Sequence, residues 1–495
     1  MLFLCICALM MVNTMTFAIP VDSNNTRPPD LNLRSALNTT ATDLLHSWGP
    51  SVLFDWVDRT AYPNTNSTAQ QLCQKIGSQL EPLTFNGIFQ NIGGTAKVIA
   101  GVTPLIAEAA VKSYFTTPIL FATRRRTRFS RSMSEASSSE PTLLYQDGTE
   151  VLRRADPPRN QILFVGFVTF SVFLWAAVKT NTDTDEWVEK ITQSGQTDWV
   201  NNRTIMQARM QELVLTLRRW GVSVAQKTQS LPEIPRTTIR EAYVNVAQKY
   251  GNASDALKLC YGICAFNGAV FLAWKIPGLA GFMNNNFVHR PMSGRSLTLL
   301  TSVFSHEGLM HFVFNAMALT SFGYAAGEYL DKQQANGPSK RLESNSAYHF
   351  LAFFVSAGLF ASLASHVVRV NAYNRVVSQL STGARTNLRP NLIGSLGASG
   401  AVYAAVTLSA LAYPEAKVTL IFLPFPMPIQ YGVGGLIMFD VIGLLRGWRV
   451  LDHIAHLGGG VFGIWYYFYG PRLWDYWRGA SAYMFDDKPK DRRLV

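Results

Sequence analysis

Gly397-Ala398-Ser399-Gly400 stands at the front of an apolar run that continues through Ala401-Val402-Tyr403-Ala404-Ala405 to Tyr413. A small nucleophile between glycines is ordinary in a soluble hydrolase. At the mouth of a segment long enough to enter a bilayer it points to hydrolysis within the membrane, provided that the chain also supplies a base, donors for an oxyanion and the helices to hold them. On this motif alone two readings stay open. Ser399 is a nucleophile, or Gly397, Ser399 and Gly400 form only a helix cap and a close-packing surface.

Composition favours the membrane. Of 495 residues, 48% are hydrophobic and 15% charged, against roughly 25% charged in soluble proteins. The net charge of +12 comes without any zinc-finger or RNA-binding signature, so no nucleic-acid partner is expected. Basic residues beside apolar spans instead orient a chain in the bilayer. The five cysteines, Cys5, Cys7, Cys73, Cys260 and Cys264, make no disulfide framework. Cys260 and Cys264 share a helix face and read as packing, since two soft ligands alone do not make a metal site.

Apolar runs of spanning length fall at residues 162–178, 259–274, 311–330, 350–370, 397–413, 430–445 and 454–469. Residues 179–257 differ. They mix both charge signs and hold amphipathic helical patches such as 206–220, broken by Pro232 and Pro235. The pattern is one span, a soluble connector and a six-span bundle. Loop charges then orient it. Lys275, Arg290 and Arg295, then Arg369, Arg375, Arg385 and Arg389, then Arg446 and Arg449 share one side by parity, almost without acids. The other side mixes Lys332, Lys340, Arg341 and Lys417 with Asp331, Glu343 and Glu415. The positive-inside rule turns the first set, and with it the Ser399 end of its helix, inward.

Residues 1–18 are apolar like a secretory signal but lack its basic n-region. Residues 1–85, with Asn-x-Ser/Thr sites at Asn24, Asn38 and Asn66, have a status that the sequence leaves open between a secretory leader and a misassigned start. Residues 86–161 carry Arg124, Arg125, Arg126, Arg128 and Arg131, a Ser-rich run, then Arg153 and Arg154. That composition resembles a mitochondrial presequence.

A serine hydroxyl is a weak nucleophile near neutral pH and needs a base. His456, in Ala455-His456-Leu457-Gly458-Gly459, is the candidate; His453 competes for the role. Gly459 and Gly463 lie one turn apart, a small-xxx-small face that lets two membrane helices approach closely. Gly400, Ala404 and Ala405 offer a matching surface, so packing of the two helices would bring Ser399 and His456 together. Asp452 invites completion of a triad, but nothing in the spacing says that it reaches His456, so the expected machinery is a Ser–His dyad. In His306-x4-His311-x3-Asn315, His311 and Asn315 project from one helix face. They are candidate donors to an oxyanion, and His306 with His311 is the weaker alternative of a zinc site. Asp440 lies inside an apolar run, as a proton relay or, the reading preferred here, a helix-end hydrogen bond.

Together these residues resemble the rhomboid intramembrane serine proteases. Three motifs carry the likeness, in order on the second, fourth and sixth bundle spans: His306-x4-His311-x3-Asn315, Gly397-Ala398-Ser399-Gly400 and Ala455-His456-Leu457-Gly458-Gly459-x3-Gly463. Ser395-Leu396-Gly397-Ala398-Ser399-Gly400, Ile421-Phe422-Leu423-Pro424 and Asp452-His453-Ile454-Ala455-His456-Leu457-Gly458-Gly459 are similar to the mitochondrial, presenilin-associated rhomboid-like branch, which places one extra span before the six. The resemblance implies an all-α polytopic membrane protein, a six-helix bundle preceded by one transmembrane helix, with Ser399 as nucleophile, His456 as base and His311 and Asn315 at the oxyanion. It implies no metal and no cofactor. It divides the chain into 86–161 on the matrix side, an extra helix at 162–178, a connector at 179–257, a protease domain at 258–475 and a charged tail at 476–495. It places the protein in the mitochondrial inner membrane, with a secretory-pathway membrane as the alternative. Its partners would be the lipid bilayer and single-span membrane substrates, such as a dynamin-like GTPase or a cytochrome c peroxidase precursor. Two rivals remain: an inactive relative that binds membrane proteins without cutting, which would be expected to lack Ser399 or His456, and a transporter, which would show paired internal repeats.

Overall fold

Each of the seven apolar runs of spanning length between residues 162 and 469 coincides with a helix, because a backbone in lipid must satisfy its own hydrogen bonds. The computed structural model describes residues 144–146, 149–151, 155–195, 200–335, 341–379, 394–420, 423–449 and 451–485. Residues 1–85, the Arg124 cluster, Arg385, Arg389 and the end of the charged tail lie outside the described residues.

A hairpin of β1 (Leu144–Gln146) and β2 (Thr149–Val151) precedes α1 (Arg159–Gln193). The connector forms two helices, α2 (Asn202–Lys227) and α3 (Glu233–Asn252). A capping box starts α2, with Asn201 and Thr204 each satisfying the other's backbone N–H. Pro232 ends the turn between them. Pro235, expected to break the helix, sits instead in the first turn of α3, where an N–H has no intrahelical acceptor to lose.

The bundle begins with α4 (Asp255–Ala273), capped by the Ser254 side chain. Short pieces follow, α5 (Ala280–Asn286) and α6 (Thr298–Thr301). Then come α7 (Leu309–Ala335), α8 (Ala347–Gln379) and α9 (Ser399–Ala412). The hairpin β3 (Lys417–Leu420) and β4 (Leu423–Pro428) leads to α10 (Ile429–Arg446) and α11 (His453–Phe485).

The expected one-plus-six spans meet a helix at each place, but among the described residues only α1, α4, α8 and α10 are long and apolar enough to cross a membrane by length and composition. The others differ for physical reasons. Polar groups dilute α7 (His311, Asn315, Glu328, Asp331) and α11 (His453, His456, Arg472, Asp475). α9 has 14 residues, about 21 Å at 1.5 Å per residue, against a hydrocarbon core about 30 Å thick.

α9 is the axis of the bundle. Every residue from Gly400 to Ala410 is buried, against α7, α8, α10 and α11. Lipid offers little hydrophobic drive to hold helices together, so close van der Waals packing of small side chains does the work. A Cβ on Gly459 would strike the carbonyl of Gly400, one on Gly463 the carbonyl of Ala404, and one on Gly400 the Cβ of Ala361. Cys260 and Cys264 are buried thiols that form no disulfide among the described residues, and Gly323 leaves room for the Cys260 Sγ.

α1 packs on α8 and α11. Phe173, Ala176 and Ala177 enter the main core, and Asn181 exchanges hydrogen bonds with buried Arg478: Nδ2 donates to its carbonyl at 3.0 Å and Oδ1 accepts from its Nε at 3.0 Å. Pro471 interrupts α11 and frees a carbonyl one turn back. The Tyr329 hydroxyl of α7 donates to that oxygen, on Tyr467, at 3.1 Å. Arg369, read as a loop charge, lies instead in α8 and pairs with Asp452 at 2.8 Å.

Candidate active site

α9 opens at Ser399. The segment before it is shaped by Gly397, whose φ of +134° lies in a region that side chains with a Cβ rarely adopt. A Cβ there would also stand 2.7 Å from His311 Cε1 and 2.8 Å from its Nε2, so only glycine lets the His311 ring lie against this turn. Two N–H groups of the turn are occupied: Gly397 N donates to the Ser302 carbonyl at 2.9 Å and Ala398 N to His306 Nε2 at 3.3 Å. His306 is buried and outside the helices, and that burial lowers its pKa to about 3, with neighbouring His311 adding to the effect. It is therefore a neutral acceptor. The N–H groups of Ser399 and Gly400, at the first turn of the helix, have no intrahelical carbonyl to bond.

The half-buried Ser399 hydroxyl meets His456 Nε2 at 2.9 Å. Behind the imidazole, His456 Nδ1 is 3.0 Å from Asp440 Oδ1. His453 Nδ1 reaches the same oxygen at 2.6 Å, and the Tyr403 hydroxyl donates to Oδ2 at 2.6 Å. The tautomers that satisfy these bonds carry the proton on Nδ1 of both histidines, leaving His456 Nε2 to accept from Ser399. Tyr403 also stacks on the His456 ring, with centroids 5.1 Å apart and planes 15° from parallel. The imidazole is thus held at its edge by a carboxylate and at its face by an aromatic ring.

The structure brings Ser399, His456 and His311 to one place, and Gly459 and Gly463 sit where α11 crosses α9. Asn315 is placed less directly. Its Nδ2 donates to the His311 carbonyl of its own helix at 2.8 Å, which leaves one of its two N–H bonds for anything else. His453 does not reach the serine, and its Nε2 has no hydrogen-bond partner among the described residues. Asp440 is not at a helix end, where the sequence reading put it. It lies inside α10 and accepts from three side chains. The sequence singles out Asp440 but not its contact with His456, and it does not single out Tyr403 at all. The available signals were a carboxylate in an apolar span and a tyrosine one turn after Ser399, on its face. Among the described residues no group of three or more His, Cys, Asp or Glu is placed to hold a metal ion.

The class of protein is therefore a polytopic helical membrane protein with a serine, a histidine and an aspartate in hydrogen-bonded series inside its bundle. Among known proteins, residues 293–472 match the rhomboid domain. Presenilin-associated rhomboid-like protein A, mitochondrial, of Danio rerio is 32% identical over 229 residues, 45% of this chain and 51% of the relative. Presenilin-associated rhomboid-like protein, mitochondrial, of Homo sapiens is 33% identical over 226 residues, again 45% and 51%. Rhomboid protein 1, mitochondrial, of Saccharomyces cerevisiae is 24% identical over 212 residues, 43% of this chain and 53% of the relative. The chain spans about half the length of the curated relatives it matches. No solved structure matches it. With its apolar helices, this kinship makes it a mitochondrial multi-pass membrane protein.

Proposed function

We propose that this protein is an intramembrane serine endopeptidase of the mitochondrial inner membrane that cuts single-span membrane proteins. The observation that carries the reading is the 2.9 Å contact between Ser399 Oγ and His456 Nε2, backed by Asp440 at 3.0 Å. In the reaction, Ser399 Oγ attacks the scissile carbonyl while His456 Nε2 takes its proton. The tetrahedral oxyanion forms against the N–H groups at the start of α9 and the His311 ring, with Asn315 contributing its remaining N–H. His456 then gives its proton to the leaving amine. A water molecule, deprotonated by the same imidazole, releases the acyl group. Asp440 holds Nδ1 and balances the imidazolium charge as it forms.

A helical substrate hides its carbonyls in its own hydrogen bonds, so helix-destabilising residues near the cut are expected. A dynamin-like GTPase and a cytochrome c peroxidase precursor are substrates of this kind to try first. The test is cleavage of such a single-span protein in proteoliposomes by wild type beside Ser399→Ala and His456→Ala. Processing by wild type alone is the expected result. Equal processing by all three would refute the reading, and binding without cleavage by all three would favour an inactive, membrane-protein-binding role.

A further inference from the structure

Asp452 lies four residues before His456 and does not touch its ring. Its carboxylate is 14% exposed and gathers four partners from three parts of the bundle. On α8, Arg369 Nη2 pairs with Oδ2 at 2.8 Å, and the Ser365 hydroxyl sits 2.9 and 2.8 Å from the two oxygens. On the segment entering α9, the Ser395 hydroxyl donates to Oδ2 at 2.7 Å. On α11, Ala455 N donates to Oδ1 at 3.1 Å, so the same carboxylate caps that helix. Burial alone would raise the pKa of Asp452; the Arg369 charge and the hydrogen bonds from Ser395, Ser365 and Ala455 outweigh it and lower the pKa. Ser395 is fixed on its other side as well. Its N–H and carbonyl pair with the backbone of His289, both at 2.9 Å. His289 is itself pinned to His366 at 3.0 Å and Thr298 at 2.9 Å.

The spacing gives this cluster a purpose. Ser395 and Asp452 are 57 residues apart, and so are Ser399 and His456. Each reacting side chain therefore follows a clamped one by the same number of residues. A slip of either segment that stretches the 395–452 bond stretches the 399–456 contact with it.

We propose that Asp452 is a positioning residue. Through Ser395 it sets the register between the entry to α9 and the start of α11, and so holds Ser399 Oγ at attack distance from His456. This rests on the serine-hydrolase reading above. It differs from plain stabilisation, because the two serines on the carboxylate should behave differently. Both donate one hydroxyl to the same group, but only Ser395 lies on the strand of chain that carries the nucleophile.

The experiment uses the full chain in proteoliposomes and measures kcat and KM on a single-span reporter, acylation of Ser399 by a fluorophosphonate, and Tm. Ser395→Ala should lower kcat and the acylation rate together by about ten- to a hundredfold, the scale of a misplacement near 1 Å, with KM within about twofold. Ser395→Thr should recover most of the loss by restoring the hydroxyl. Ser365→Ala should lower Tm by as much as Ser395→Ala and kcat by several-fold less. A second arm needs no catalysis. In Ser399→Cys/His456→Cys, the yield of a short bifunctional thiol cross-link should fall on adding Ser395→Ala and fall less on adding Ser365→Ala. Rate losses that merely track Tm in both serine variants, or a cross-link yield indifferent to Ser395, would overturn the proposal. Should wild type neither cleave nor label, the hydrolase reading fails and the cysteine pair alone decides the clamp.

Discussion

Replacing Asp440 by Asn isolates the charge behind the imidazole. Asparagine has the same shape, and its carbonyl oxygen can still accept from Nδ1 of His453 and His456, while the Tyr403 hydroxyl can turn to accept from the new amide. Packing is therefore kept. What disappears is the anion that faces His456 when Nε2 takes the serine proton. Both groups are shielded, with side-chain exposures of 10% for His456 and 3% for Asp440, so the pair is not screened as a surface pair would be. A hydrogen bond to a charged partner contributes about 1.5–3 kcal/mol. If that energy is realised only in the transition state, kcat falls by about 10- to 160-fold at 1.36 kcal/mol per decade, and KM hardly moves. Tyr403→Phe removes a donor to the far oxygen and keeps the charge, so its loss should be smaller. The assay is steady-state cleavage of a single-span reporter in proteoliposomes, with fluorophosphonate labelling of Ser399 as a substrate-independent check. A D440N enzyme with kcat within about twofold of wild type would refute the argument that the carboxylate supports the base.

Gly459→Ala places a Cβ against the Gly400 carbonyl, where neither backbone can give way. We expect a destabilisation of about 1–3 kcal/mol, read as a lower Tm in detergent, together with lost cleavage; Gly166→Ala, which meets nothing within 4 Å on α1, is the control, and equal Tm values would refute the packing account. Acid should weaken the fold through His289, whose pKa is lowered to about 3 by burial and by neighbouring His366 and Arg369. Below pH 6.5 the unfolded chain takes up a proton that the folded chain refuses, so stability is full above that value and is lost as pH falls from 6.5 toward 3, at a limiting slope of about 1.4 kcal/mol per pH unit. Denaturation across this window should be flatter for His289→Asn than for wild type, and parallel curves would refute the assignment.

The helices were legible because lipid enforces a simple pattern, and the motif residues because they sit at helix starts. What stayed hidden lies between helices. Asp440 precedes His456 by 16 residues, across a turn whose path the sequence does not specify, so nothing announced that the two would meet. Asp452, nearer in sequence, looked the better partner. It faces α8 because its oxygens are occupied by Arg369, Ser365, Ser395 and the cap of α11. Asn315 has its own backbone carbonyl one turn back within reach, so one of its two N–H bonds goes there and only the other is left for an oxyanion. Helix ends differ from the ends of the apolar runs where polarity and helicity part company. The apolar run of α1 stops at 178, yet the helix continues to Gln193 with Thr180, Asn181 and Thr184 buried.

The 14 residues of α9 act as a depth gauge. Exposed Glu415 and Lys417 mark the water boundary just beyond its far end. A helix of about 21 Å in a hydrocarbon layer of about 30 Å then leaves Ser399 about 9 Å below the opposite surface. At 1.5 Å per residue for a helix and about 3.3 Å for an extended chain, that depth corresponds to about six residues of helix or three of unwound substrate. Cuts should therefore cluster three to six residues inside the apolar segment of a substrate, counted from the side on which Ser399 opens. Water for the proposed deacylation would have the same short distance to travel.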